Sequence, residues 1–277
     1  MNFEELRVRI FEKLHPLVGS NEAKAIAKRY IDDYLILNRM GRVHDLIDNN
    51  KFEKDLLKLS LNYPIQYVTG IEVFMDHVFE VNESVLIPRP ETEELVRMII
   101  AETGVRPSKI LDLCTGSGCI AISLSLFFKD AFVLATDISS RALETANKNA
   151  KILGAKVDFR LEDLLNSNVR SITSPIDIIV SNPPYIPFSE SALMDSAVKD
   201  YEPKNALFVD DKDPLIFYRS IARLAKSHLG FKGRCYTEVN KSFANNVKDI
   251  FYEFGFKNVV VTRDMSGNER FVKAIQE

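Results

Sequence analysis

From residue 109 onward the chain alternates short apolar runs with helical stretches, and this rhythm constrains the fold more than any other feature. The expected strands are KILDL (109–113), FVLATD (132–137), KVDFR (156–160), IDIIVS (176–181) and GRCYTEV (233–239). Helices are expected over 119–128, 140–153, 213–228 and 242–254. Apolar strands separated by helices of this length require a largely parallel sheet covered on both faces. The tail breaks the rhythm. NVVVTRD and ERFVKAIQ are separated only by Met265-Ser266-Gly267-Asn268, too short for a helical crossover, so this last pair reads as an antiparallel hairpin. The expectation is a seven-stranded, Rossmann-like α/β sheet with an antiparallel last strand.

The first sixty-odd residues are helical in pattern. Phe3, Leu6, Ile10, Phe11 and Leu14 recur at spacings of three and four, with breaks expected at His15-Pro16 and Gly19-Ser20. Ala23, Ala27, Tyr30, Ile31, Tyr34 and Leu35 resume the pattern, and Leu46, Ile47, Leu56, Leu57 and Leu61 extend it. EVFMDHVFEVNESVLIP then reads as a hairpin, and RPETEELVRMIIAETG as a helix with Pro90 near its start and Gly104 past its end. The expected organisation is a helical domain over 1–70, a connecting hairpin over 71–86, and the α/β domain over 87–277.

Charge and cysteine usage narrow the function classes. Against 39 acidic residues stand 36 basic ones, a net charge of −3, where a dedicated duplex-DNA binder usually shows a basic excess. Stable nucleic-acid binding is not expected. Three cysteines and four histidines, none of the latter near a cysteine pair, suit neither a disulfide framework nor a zinc site, and no metal is expected. The N-terminus MNFEELRVRIFEKL lacks an apolar signal region, and no run of eighteen apolar residues exists. A cytoplasmic, non-membrane protein is the expectation, as a monomer.

LDLCTGSGCIAIS runs strand, glycine-rich turn, helix. Gly116 and Gly118 allow close backbone approach to a ligand, and a helix start presents free N–H groups. With Ala121 the loop satisfies a G-x-G-x-x-A dinucleotide fingerprint, so a nicotinamide cofactor is one reading. Asp112, ahead of the glycines, would oppose a pyrophosphate but suits a cationic amino group. That favours S-adenosylmethionine, which carries an ammonium and a sulfonium. Asp137 closes the next strand where a ribose diol can be gripped, or caps the following helix. Asp163 is placed to meet an adenine amino group, or simply serves a turn.

Asn182-Pro183-Pro184-Tyr185 follows the fourth of these strands directly. Two prolines end the ladder, leaving a stiff turn with one carboxamide and one phenol. Ligands of open α/β sheets bind beyond the carboxyl ends of the strands, so Gly116, Asp137, Asp163 and Asn182 belong to one crevice. A planar NH2 group is a poor nucleophile because its lone pair is delocalised. The Asn182 side-chain oxygen and the Pro183 carbonyl can each accept one of its hydrogens, fixing the nitrogen for attack on a methyl carbon. The Tyr185 ring can pack on the flat substrate. Asn182, Pro183 and Tyr185 are therefore the candidate catalytic residues. The motif specifies a planar nitrogen and does not separate glutamine or asparagine from adenine or cytosine.

YPIQYVTG (63–70), LIPRPETEELV (86–96), LDLCTGSGCIAIS (111–123), ATDIS (135–139), SNPPYIP (181–187), YEPKNAL (201–207) and DMSGNERFV (264–272) carry a resemblance along nearly the whole chain. The sequence resembles the release factor glutamine N5-methyltransferases (PrmC/HemK family). The resemblance implies a class I S-adenosylmethionine-dependent methyltransferase domain behind a helical domain that recognises the substrate. It implies methylation of the glutamine of the Gly-Gly-Gln loop in class I peptide chain release factors, with S-adenosylhomocysteine as product. It puts that glutamine on Asn182, Pro183, Pro184 and Tyr185, with Arg89 and Glu91 shaping the mouth or forming a salt-bridged helix start. It puts the cofactor on Asp112, Cys114, Thr115, Gly116, Ser117, Gly118, Asp137, Asp163, Leu164 and Asn182. Four departures stand out. Cys114 replaces a usual glycine, which implies that no left-handed turn is needed there; Leu164 stands where an aromatic is frequent, Asn62 replaces a frequent glycine, and VDDKDPL (209–215) lacks glycines.

Three other readings compete. An adenine-N6 DNA methyltransferase shares the tetrapeptide but needs base flipping and a duplex grip, for which there is no evident recognition domain or basic stripe. A nicotinamide dehydrogenase leaves Asn182–Tyr185 unexplained. A non-catalytic binding protein would have little reason to keep Asp137 and the tetrapeptide.

Overall fold

The computed structural model describes residues 2–43, 48–103, 107–166 and 175–277. The helical readings at Leu46 and Ile47 and the helix stop at Gly104 lie outside the described residues. In chain order come α1 (Phe3–Val18), α2 (Ser20–Arg39), α3 (Asn49–Ser60), α4 (Ile65–Thr69), β1 (Ile71–Phe74), β2 (His77–Glu80), α5 (Pro90–Glu102), β3 (Lys109–Leu113), α6 (Cys119–Phe127), β4 (Phe132–Asp137), α7 (Ser140–Leu153) and β5 (Val157–Leu161). Then follow β6 (Ile176–Ser181), β7 (Ile186–Pro187), α8 (Ser196–Tyr201), α9 (Lys204–Leu207), β8 (Phe208–Val209), α10 (Ile216–His228), β9 (Leu229–Glu238), α11 (Ala244–Glu253), β10 (Asn258–Arg263) and β11 (Glu269–Ile275). The chain divides into two compact units. One comprises Met1–Ile71, Val81–Glu83 and Met194–Tyr201; the other comprises Glu72–Glu80, Ser84–Leu193 and Glu202–Glu277.

The helical unit is built on the apolar stripes of α1, α2 and α3. Leu6, Ile10 and Leu14 of α1 meet Ala23, Ala27 and Tyr30 of α2 and Phe52, Leu56 and Leu59 of α3. Its buried polar groups are paired: the Tyr30 hydroxyl donates to Asp55 at 2.8 Å, and Thr69 and Arg29 both donate to Asp33. The break expected at His15-Pro16 does not occur. α1 continues to Val18 because Pro16 falls in its last turn, where its missing N–H forfeits a single bond, and Gly19 at φ +85° ends the helix instead.

In the larger unit the main sheet has, among the described residues, seven strands in the order β10-β11-β9-β6-β3-β4-β5. β11 alone runs against its neighbours, paired antiparallel to both β9 and β10. Successive residues serve opposite faces. Ile110 packs with α5, α6 and α7, whereas Leu111 and Leu113 pack with α10 and α11. The β1–β2 hairpin turns on Met75 and Asp76, both at positive φ, as a two-residue hairpin turn favours. Parallel register brings Leu113 beside Ser181 and Thr136, Asp137 beside Leu161, and Ser181 beside Thr237. One edge of the sheet thus gathers the residues that end β3, β4, β5, β6 and β9. Among the described residues no helix is long and apolar enough to cross a membrane.

Candidate functional site

A cavity of about 310 Å3 opens at that edge. Its wall includes Cys114 to Ser117 after β3, Asp137 to Ser139 after β4, Glu162 to Leu165 after β5, and Asn182 and Pro184 after β6. Arg89 and Thr92 at the start of α5 line it as well. Asp112, Gly118, Pro183, Tyr185 and Glu91, expected at the site, lie off the cavity wall.

The glycine loop is held from below. Asp112 is fully buried, and its Oδ2 accepts from the Thr115 hydroxyl at 2.6 Å and from Ala121 N–H at 3.2 Å. Gly118, the N-cap of α6, has no side chain to satisfy a helical N–H group, and Asp112 takes that of Ala121 from the strand. Its Oδ1 has no partner, and burial pushes the carboxyl up to about 7, against the pull of those two donors. Cys114 corrects an expectation: its φ is +60°, left-handed after all. That turn lets Thr115 N–H reach Thr136 O at 3.0 Å and Gly116 N–H reach Asp137 at 2.8 Å. The side chain rests on the apolar cluster beneath α10, which offsets a backbone cost of about 1–2 kcal/mol.

Asp137 is not the cap of α7, which is Ser139. Its Oδ2 accepts from Gly116 N–H and its Oδ1 from Ser139 N–H, leaving lone pairs on both oxygens for further donors. Burial raises its carboxyl, and these backbone donors pull it back. Asp163 does serve a turn, accepting from Leu165 N–H at 2.9 Å, while also lining the cavity. Burial, then the charges of Asp137, Asp112 and Asp163, push the Cys114 thiol up; of these acids, Asp137 and Asp163 line the cavity. Such a lining fits a cationic ligand with a diol and disfavours a pyrophosphate. Ile138, an exposed apolar side chain on the wall, adds a surface for a flat ring that the sequence reading missed.

At the other end, Asn182 Nδ2 donates to Thr92 Oγ1 at 3.1 Å, and Thr92 Oγ1 donates to Glu238 Oε2 at 2.8 Å. The Tyr185 hydroxyl donates to Glu238 Oε1 at 3.1 Å. Burial raises the Glu238 carboxyl, while the Thr92 and Tyr185 hydroxyls and the Arg270 charge lower it. Burial and the neighbouring Glu238 charge push the Tyr185 phenol up, so it stays neutral. Arg89 pairs with buried Glu202, which also accepts from Ile87 N–H at 3.1 Å. The salt bridge at this helix start is therefore made to Glu202, with Glu91 standing aside. Thr92, Glu202 and Glu238 were not singled out from the sequence. The available signals were Thr92 inside the PRPETE stretch and Glu238 as the acid that closes β9.

The family model of the methyltransferase small domain matches residues 91–200. A release factor glutamine methyltransferase of Bacteroides thetaiotaomicron is 39% identical over 271 residues, 96% of this chain and 97% of that one. One from Flavobacterium psychrophilum is 42% identical over 233 residues, 83% of this chain and 81% of that one. The crystal structure of a methyltransferase from Pyrococcus furiosus, 18% identical, shares the fold at a TM-score of 0.52, covering 80% of this chain and 96% of that one. With glycine loop, strand-end acid and Asn-Pro-Pro-Tyr turn gathered on one edge, and identity of this level along almost the full length, the chain belongs to the release factor glutamine methyltransferase family.

Proposed function

We propose that this protein methylates the side-chain amide nitrogen, N5, of the glutamine in the Gly-Gly-Gln loop of class I release factors, with S-adenosylmethionine as donor. The observation that carries the reading is the fixed carboxamide of Asn182 on the wall of a cavity whose opposite end is acidic. Asp137, Asp163, Ile138 and the backbone of Cys114 to Ser117 would hold the donor. When bound, it supplies a methyl carbon on a positively charged sulfur and leaves as S-adenosylhomocysteine.

The protein's own part is orientation. With Asn182 Nδ2 committed to Thr92, Oδ1 is left to accept one hydrogen of the glutamine amide, and the Pro183 carbonyl supplies the second acceptor. Held by both hydrogens, the planar nitrogen is fixed in direction, and the positive charge it develops is stabilised by the same two oxygens. The proton lost from the product leaves to water. Tyr185 is fastened to Glu238 and buttresses the turn. The helical unit is assigned to gripping the release factor, and Arg89 to the substrate mouth. Relatives named for release factors favour glutamine over adenine.

Incubation with purified release factor and labelled donor, set against duplex DNA, tests the assignment. Mass spectrometry should find one added methyl on the glutamine and none on DNA; label in DNA alone sinks the reading. Asn182→Ala should lower turnover by roughly 100-fold or more, as loss of an aimed hydrogen-bonding group does. Its affinity for S-adenosylhomocysteine should hold within about threefold. Retained turnover would remove the acceptor role.

A further inference from the structure

We propose that Thr92 and Glu238 are positioning residues that set which face of the Asn182 carboxamide meets the substrate. The inference rests on the methyl-transfer reading above. A carboxamide has nearly the same shape either way round, so packing alone cannot choose between presenting oxygen and presenting NH2. The choice here is electrostatic. Glu238, only 2% exposed at the end of β9, offers two acceptor oxygens, and both are taken by hydroxyl donors, Thr92 and Tyr185. Burial works against the ionised form of Glu238, and the two hydroxyl donors with the Arg270 charge work for it, the form in which both oxygens accept.

Thr92 has one hydroxyl proton. Giving it to Glu238 leaves Oγ1 able only to accept, so Asn182 must turn its NH2 toward Thr92 and its Oδ1 away. Oδ1 is the atom that can receive a hydrogen from the substrate nitrogen. Were the amide reversed, it would aim N–H bonds at the substrate's own N–H bonds. The chain from Glu238 to Thr92 to Asn182 therefore passes the sign of a buried charge to the rim of the cavity. Thr92 is itself 3% exposed, so water does not compete for its proton. Three elements meet to do this: the first turn of α5, the turn after β6, and the end of β9.

Two nearly equal-sized changes separate positioning from packing. Thr92→Val keeps the shape and removes the hydroxyl; Thr92→Ser keeps the hydroxyl and removes a methyl. Steady-state methylation of a release factor should show kcat reduced roughly 10–100-fold in Thr92→Val, the scale of a lost orienting contact. Thr92→Ser should stay within about threefold of the unaltered enzyme, and calorimetry should give both variants an unchanged Kd for S-adenosylhomocysteine. If Thr92→Val is the more active of the two, the residue only packs and the inference is overturned. Should Thr92→Val fail to fold, the unaltered protein still decides. Its Asn182 side-chain amide, assigned by NMR through its loss in Asn182→Asp, should show one proton protected from solvent exchange; two fast-exchanging protons overturn the inference. An unaltered enzyme that leaves the release factor unmethylated would sink the methyl-transfer reading and leave the amide measurement standing apart from it.

Discussion

Asp112 combines full burial, two donors on one oxygen and none on the other. Its carboxyl titrates at about 7 in the folded protein against an ordinary 3.8. The sign follows from that order. Below the ordinary value both states hold the proton; between 3.8 and about 7 the unfolded chain releases it while the folded chain keeps it, so stability falls as pH rises. Above about 7 the cost is complete. We predict that Asp112→Asn flattens the fall in unfolding free energy between pH 5 and 7 by roughly 1 kcal/mol per pH unit, close to one proton's worth. Denaturant titrations of both proteins across that range check it, and parallel curves would remove the assignment. The same residue shows the limit of reading side chains from sequence. An acid before a glycine loop suggests a ligand contact, but the strand's alternation turns it under the loop, where it braces α6. Cys114 misled in the opposite way. A non-glycine residue argued for ordinary backbone, whereas the hydrogen bonds of the next two residues impose the left-handed turn.

The strand–loop–helix element from β3 to α6 separates two glycines with different duties. A Cβ on Gly118 would lie 2.9 Å from Ile122 Cδ1 and 3.1 Å from Ala146 Cβ, at φ +81°, because α6 and α7 close on that point. A Cβ on Gly116 would meet nothing within 4 Å at φ +54°, since it would stand in the cavity. Gly118→Ala should therefore cost on the order of 2–3 kcal/mol of stability, from strain and overpacking together. Gly116→Ala should cost about 1 kcal/mol of stability and lose at least tenfold in S-adenosylhomocysteine affinity. Thermal melts and calorimetry would sort them, and equal stability losses would contradict the division of labour. At this scale the sequence was most legible. The sheet strands expected at 109–113, 132–137 and 176–181 fall where the apolar runs placed them, because a strand buried on both faces must be apolar throughout. β9 begins earlier, at Leu229, where Gly230, Lys232 and Gly233 concealed the strand. The link from Thr92 to Glu238, 146 residues apart, depends on sheet order, which no local pattern encodes.

Across the whole molecule, the helical and sheet units have separate apolar cores, and every residue of the cavity wall belongs to the sheet unit. A ligand that binds only the folded sheet unit stabilises that unit by mass action, by about 2.7 kcal/mol at a concentration one hundred times its Kd. Hydrogen exchange with saturating S-adenosylhomocysteine should thus slow in β3, β4 and β6 and stay unchanged in α1 and α3. Equal protection of both units would show that they open together. The boundary between the units was only partly legible. The change from helical to alternating pattern falls near residue 71, but Met194–Tyr201 also belongs to the helical unit, where Tyr201 stacks edge to face on Tyr63 and donates to Leu61 O. The position of β11 between β9 and β10 has a further consequence for a chain emerging from the ribosome. Of these three strands, the one made after the other two is the one that joins them. Premature termination before residue 269 would therefore leave β10 stranded and β9 with an open edge, making such a product a candidate for aggregation or proteolysis.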